Sequence, residues 1–128
     1  MIVILAYEQR GGEAVEEQAI RLMDEYKDVF MVSRAVKHTD LPGEVVGKGG
    51  NITASGRVLQ KIIEEKGIDP SNVLVTTLDA DNRPHKSYFA GLTYVYAVCH
   101  DPKYMSFQPI PMFTNNIWDA PAPMRVIA

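Results

Sequence analysis

The chain has 128 residues, of which 46% are hydrophobic and 23% charged, an ordinary globular composition that fits one domain with a single core. Thirteen basic residues against sixteen acidic ones leave a net charge of −3. That balance argues against a nucleic-acid surface, which gathers a basic excess on one face, and leaves small anionic ligands open. Cys99 is the only cysteine, so it forms no internal disulfide; the simpler reading is a reducing compartment and a small buried hydrophobe. No apolar run approaches the roughly 20 residues a membrane helix needs, and the opening MIVILAYEQR lacks the basic flank and cleavage site of a signal peptide.

Ile2 to Ala6 is a short apolar run rich in β-branched residues, the pattern of a strand covered on both faces. Gly11 and Gly12 end it. Glu13 to Lys27 then sets Val15, Ala19, Met23 and Tyr26 on one stripe, with Glu13, Glu16 and Glu17 in the first turn. This predicts an amphipathic helix whose acids suit its dipole. Phe30 to Val36 reads as a second strand, weakened by Ser33 and Arg34. His38 to Gly50 holds one proline and four glycines and reads as a loop able to bring backbone close to a ligand.

Asn51 to Lys66 resumes helical spacing through Val58, Leu59, Ile62 and Ile63, with Gly67 as the stop. Asp69 to Asn72 is a turn. The run Val73 to Leu78 is the clearest buried-strand pattern in the chain, and Asp79-Ala80-Asp81 follows at once. A third helix is predicted over Ser87 to Val98, with Phe89, Leu92 and Tyr96 inward. Ser106 to Phe113 reads as an edge or irregular strand because Pro109 and Pro111 break its ladder. The remaining tail reads as loop. This alternation predicts an open α/β sheet in one domain, residues 1–128, with no linker or internal repeat.

Ligands of open α/β sheets collect at the carboxyl ends of the strands. Asp79 and Asp81, one residue apart beyond a strand, can be aimed at one divalent cation, or one at a cation and the other at a sugar hydroxyl. Mg²⁺ and Mn²⁺ prefer such oxygen ligands, and Mg²⁺ is often held by one or two carboxylates plus substrate phosphates. The ordinary alternative is a solvated turn with Asx-type hydrogen bonds. An EF-hand does not fit, because Arg83 and Pro84 occupy places where that loop needs an oxygen ligand and a glycine.

The segment GEVVGKGG suggests a phosphate cradle, but its spacing is one residue short of a Walker loop and Lys48 is followed by Gly49. What remains is a cation in a glycine-rich loop that leads through Asn51 into a helix N-terminus, a place that favours anions. A surface loop with a solvated lysine explains the same letters. His38, His85 and His100 have no zinc-ligand spacing with one another or with Cys99, and no GxSxG nucleophile elbow occurs.

Three segments in order resemble the processive family 2 glycosyltransferases of the cellulose synthase-like group. GKGGNITASG is similar to their lysine-and-asparagine loop before the second helix. LVTTLDADNRPHKSYF is similar to their strand and Asp-x-Asp motif. FQPIPMFTNNIWD is similar to their later glutamine-bearing strand and asparagine-bearing loop. LAYEQRGG further resembles the second strand of that fold.

The resemblance spans most of the chain and implies the GT-A fold, a Rossmann-like three-layer α/β/α open sheet that binds a nucleotide-diphosphate sugar. It implies that Asp79 and Asp81 contact a Mg²⁺ or Mn²⁺ ion, the diphosphate or the donor sugar. It places Glu8 near the nucleoside, Lys48 and Asn51 near the nucleotide, and Gln108 on the acceptor side. The implied reaction is transfer of the sugar, from a uridine diphosphate donor in the family's common choice, to a saccharide or lipid hydroxyl with inversion.

The departures carry expectations of their own. The first strand and its acidic nucleotide-contacting loop, the acceptor base of a Thr-Glu-Asp-like motif and a QxxRW motif are all missing. The chain is therefore expected to be an internal fragment with no catalytic base, inactive or nearly so alone. Its full-length parent would be cytoplasmic or membrane-anchored with a cytoplasmic catalytic domain. The missing strand would lie between Ile2–Ala6 and Val73–Leu78, so a homodimer or larger self-association is expected to cover the exposed strand edges. The other reading is a non-catalytic α/β module that binds a nucleotide or a partner and uses the Asp pair only as a turn.

Overall fold

A computed structural model describes residues 1–39 and 47–108, and the chain divides into two compact units, Met1–Val73 and Leu74–Ala128. In the first unit a strand, β1 (Ile2–Glu8), passes through a single 3-10 turn (Gln9–Gly11) into α1 (Gly12–Glu25). The chain returns as β2 (Val32–His38), then forms α2 (Lys48–Glu65) and a second 3-10 turn (Pro70–Asn72). β1 and β2 are parallel, in a register that runs from Ile2 opposite Val32 to Glu8 opposite His38. Two parallel strands need a crossover, and the fourteen residues of α1 supply it. The architecture is thus α/β, with a two-stranded parallel sheet among the described residues.

The first strand and first helix lie where the hydrophobic pattern puts them. α1 rests on the sheet through Ala19, only 3% exposed, with Leu22 and Met23 half-buried beside it. Val15 and Tyr26, expected on the same stripe, are exposed. An alanine at the contact lets the helix approach closely, and buried Ala19 with half-buried Glu16, Leu22 and Met23 follows the three- and four-residue spacing of one helix face. β2 starts two residues later than its composition suggests, after the Met31 amide donates to the Met1 carbonyl at 3.0 Å. Ser33 and Arg34 do not interrupt it: they pair with Val3 and Ile4 of β1, whose continuous apolar run sets the register.

α2 starts at Lys48, three residues before the position read from its periodicity, so Gly49 and Gly50 lie in its first turn and not in a loop. The rest of the glycine-rich segment, residues 40–46, lies outside the described residues. Ile62 and Ile63, 5% and 8% exposed, are the buried anchors of α2, and with Ala19 they are the buried hydrophobic core among the described residues. The helix ends as its sequence predicts. Gly67 takes φ +62°, its amide donates to Glu64, and the Ile68 amide donates to Ile63, both at 3.0 Å. This is a Schellman closure, which satisfies two carbonyls that the helix end would otherwise leave open. The turn at Asp69 is also as read, with the Asp69 carboxylate accepting from the Ser71 amide at 2.8 Å.

The run from Val73 to Leu78 is the main correction. It forms no ladder with any described strand, and it exposes 60% of Val75 and 45% of Leu78. Val73 itself is extended, at φ −109° and ψ 122°. A parallel strand needs a hydrogen-bonding neighbour as well as a β-branched composition, and none of the described residues supplies one.

In the second unit, α3 (Tyr88–Val98) precedes a 3-10 turn at Pro102–Tyr104. Leu92 and Tyr96 are half-buried as expected, whereas Phe89 is 40% exposed. α3 is apolar around most of its circumference, so its periodicity does not single out an inward face. Tyr96 meets Phe107 edge-on, with ring centroids 6.2 Å apart. Cys99 is half-buried, its Sγ 3.0 Å from Met105 Sδ. Of the expected strand Ser106–Phe113, residues 106–108 are irregular and the remainder lies outside the described residues. No helix among the described residues is long and apolar enough to cross a membrane.

Candidate functional site

The Asp-x-Asp triplet sits in a closed turn. The Asn82 amide donates to the Asp79 carbonyl at 3.0 Å, and the Asn82 side-chain oxygen accepts from the Asp79 amide, also at 3.0 Å. The Asn82 side-chain nitrogen reaches Asp81 Oδ1 at 3.5 Å. One asparagine thus latches both ends of the turn, the local chemistry that makes Asn and Asp turn residues. Both aspartates are exposed. Their residue types form a hard-oxygen donor set, the kind that suits Mg²⁺ or Mn²⁺ when phosphate and water complete the shell. Among the described residues, no group of three or more His, Cys, Asp or Glu side chains gathers in a way that could hold a metal by itself.

Three other expected residues fall in the first unit. Glu8 is the last residue of β1, opposite His38 of β2, and its carboxylate is ion-paired with Arg10 in the following turn. Lys48 opens α2 behind Gly47, whose φ of +156° and ψ of −175° is a backbone shape confined almost entirely to glycine. Asn51 stands one turn further on, half-buried, its side-chain oxygen shielded and without a hydrogen-bond partner among the described residues. Glu8 is thereby set at the carboxyl end of a parallel strand, and Lys48 and Asn51 at the N-terminal turn of a helix, where amides point outward toward anions.

Gln108, expected on the acceptor side, is exposed in the second unit. It borders an open cavity of about 540 Å³ with His85, Tyr88, Leu92 and Phe107. His85 Nδ1 accepts from the Ser87 amide at 3.2 Å, which fixes the ring at the start of α3.

A charged network at the end of the sheet went unmarked in the sequence. Lys37 Nζ of β2 donates to Glu16 Oε2 of α1 at 2.6 Å, and Tyr7 of β1, the register partner of Lys37, lies beside the same carboxylate. The hydrogen bond from Lys37 holds the Glu16 carboxyl below its ordinary range, and the same bond raises Lys37. Desolvation raises the Tyr7 hydroxyl, and the neighbouring Glu16 charge adds to it. No spacing in the sequence marks this group, because it depends on the register of β1 against β2 and on Glu16 lying on the half-buried face of α1. Asn82, in contrast, was legible as an Asx residue closing the turn.

No protein-family model, curated protein or solved structure matches this chain.

Proposed function

We propose that this chain is the donor-binding core of a family 2 glycosyltransferase, a part of a Rossmann-like three-layer GT-A sheet that binds a nucleotide-diphosphate sugar with a divalent cation. One observation carries the reading. Two carboxylates one residue apart stand in a turn latched by Asn82, directly after the run Val73–Leu78, which is rich in β-branched residues. A preformed turn lowers the ordering cost of gathering two like charges around a cation.

Asp79 and Asp81 would hold Mg²⁺ or Mn²⁺, with donor phosphates and water as the remaining ligands. Such an ion, when bound, neutralises charge on a departing diphosphate and orients it. Asn82 keeps the two carboxylates on one short loop, so neither has to be recruited from elsewhere. Glu8, held by Arg10, would accept hydrogen bonds from the nucleoside. Lys48 and the first amides of α2 would meet negative charge on the nucleotide, with Asn51 one turn behind them. Gln108 would face the acceptor, a saccharide or lipid hydroxyl. Deprotonating that hydroxyl would fall to a general base, worth about 10²–10⁴ in rate.

A second reading is favoured by the same latch: Asn82 satisfies the turn without any ion, as in a non-catalytic module where the Asp pair is only a turn. Calorimetry separates the two. With Mn²⁺ present, a uridine diphosphate sugar should bind more tightly than in its absence, and Asp81→Asn should remove most of that gain. Equal metal dependence in wild type and variant would favour the non-catalytic module.

A further inference from the structure

We propose that Lys37, Glu16 and Tyr7 are positioning residues for the nucleoside end of the donor site: they fix the loop that carries Glu8 without touching the ligand. This rests on the reading above, in which Glu8 meets the nucleoside.

The argument is one of anchoring. The loop from Glu8 to Gly12 leaves the carboxyl end of β1 and enters α1, and it turns sharply at Gly12, where φ is +76°. Tyr7 lies immediately before this loop and Glu16 one helical turn after it. The Glu16 carboxylate is tied to Lys37 of the neighbouring strand, the register partner of Tyr7, and Tyr7 lies beside both charges. The two flanks of the loop therefore meet at one group of polar side chains drawn from β1, β2 and α1.

Successive strand residues point to opposite faces, so Tyr7 faces α1 and Glu8 faces away from it. The network can influence Glu8 only through the backbone and through Arg10, the partner of Glu8 inside the loop. Glu13, in the first turn of α1, adds a second negative charge toward Lys37, which favours its charged form. Lys37 and Glu16 side chains are 38% and 33% exposed, open enough for the pair to form and break without unfolding the sheet. An exposed ion pair of this kind contributes little to global stability. Its effect is expected in the geometry of the loop.

The test uses the full chain and two probes, uridine and uridine diphosphate with Mn²⁺. Glu16→Gln and Lys37→Gln should each weaken both probes by the same factor, about fivefold, because the nucleoside contact is common to both. The double variant should be no weaker than either single one. The exchanged pair Glu16→Lys with Lys37→Glu should recover most of the affinity. Asp79→Asn, in contrast, should weaken only the diphosphate. Variants that melt earlier yet bind uridine like wild type would overturn the positioning role and leave the donor-site reading intact. A wild-type chain that binds neither probe would overturn both.

Discussion

Two glycines in the same helix region should respond to the same substitution with opposite sign. Gly67 closes α2 at φ +62°, and a Cβ built there meets nothing within 4 Å, so the cost of Gly67→Ala is purely conformational. A left-handed alanine costs ~1–2 kcal/mol, and the stiffer unfolded chain offsets ~0.4–1 kcal/mol of that. The net loss is ~1 kcal/mol, which lowers the melting temperature by about 4–8 °C in a small domain. Gly56 lies inside α2, is exposed, and also has open space around its Cβ position. Gly56→Ala should gain ~0.5–1 kcal/mol, since glycine in a helix interior is that much worse than alanine. Urea or thermal unfolding by circular dichroism reads both. If the two variants shift in the same direction, the Schellman end of α2 is wrong.

Lys48→Ala should weaken uridine diphosphate more than uridine; an equal effect on both would place the lysine away from the phosphates. The Lys37–Glu16–Tyr7 group makes a small contribution to stability, and that contribution depends on pH. Glu16 is lowered, so its contribution is present above its ordinary value of 4.5 and is lost as pH falls through the folded value. Tyr7 and Lys37 are raised, so theirs are present below the ordinary 10.0 and 10.5 and are lost as pH rises through the folded values. The stability difference between wild type and Lys37→Gln should hold steady near neutrality and narrow at both extremes; a difference constant through acid and alkali would rule the network out. Val75 and Leu78 are exposed apolar residues, and β1 and β2 each have one unpaired edge among the described residues. Sedimentation at micromolar concentration should accordingly show a dimer or larger species, and a clean monomer would refute self-association.

The elements that proved legible are those whose signal is local. β1 is a continuous apolar run, α1 and α2 carry helical spacing, and Gly67 and Asp69 close their turns with chemistry contained in a few neighbouring residues. The segment Val73–Leu78 was misread as paired because pairing is not a local property: the residues favour extension, but the ladder depends on a partner elsewhere. Phe89 was misplaced for a related reason, since a helix apolar on most sides does not tell which side packs. At the candidate site, the position of Asp79 and Asp81 in a turn was readable from the sequence. The latch by Asn82 was not drawn from it, although asparagine in that place is a recognised turn-closing residue. The Lys37–Glu16–Tyr7 network needed the register of β1 against β2, which periodicity cannot supply.

The most direct test of the central claim is electron paramagnetic resonance of Mn²⁺ in the presence of the chain and uridine diphosphate. The six-line signal of the free ion reports how much metal remains unbound. At a nucleotide concentration that alone captures little metal, wild type should deplete that signal, and the Asp79→Asn, Asp81→Asn double variant should need about tenfold more protein to do so, equivalent to ~1.4 kcal/mol. An identical free-ion signal for wild type and double variant across the titration would contradict a cation site at Asp79 and Asp81.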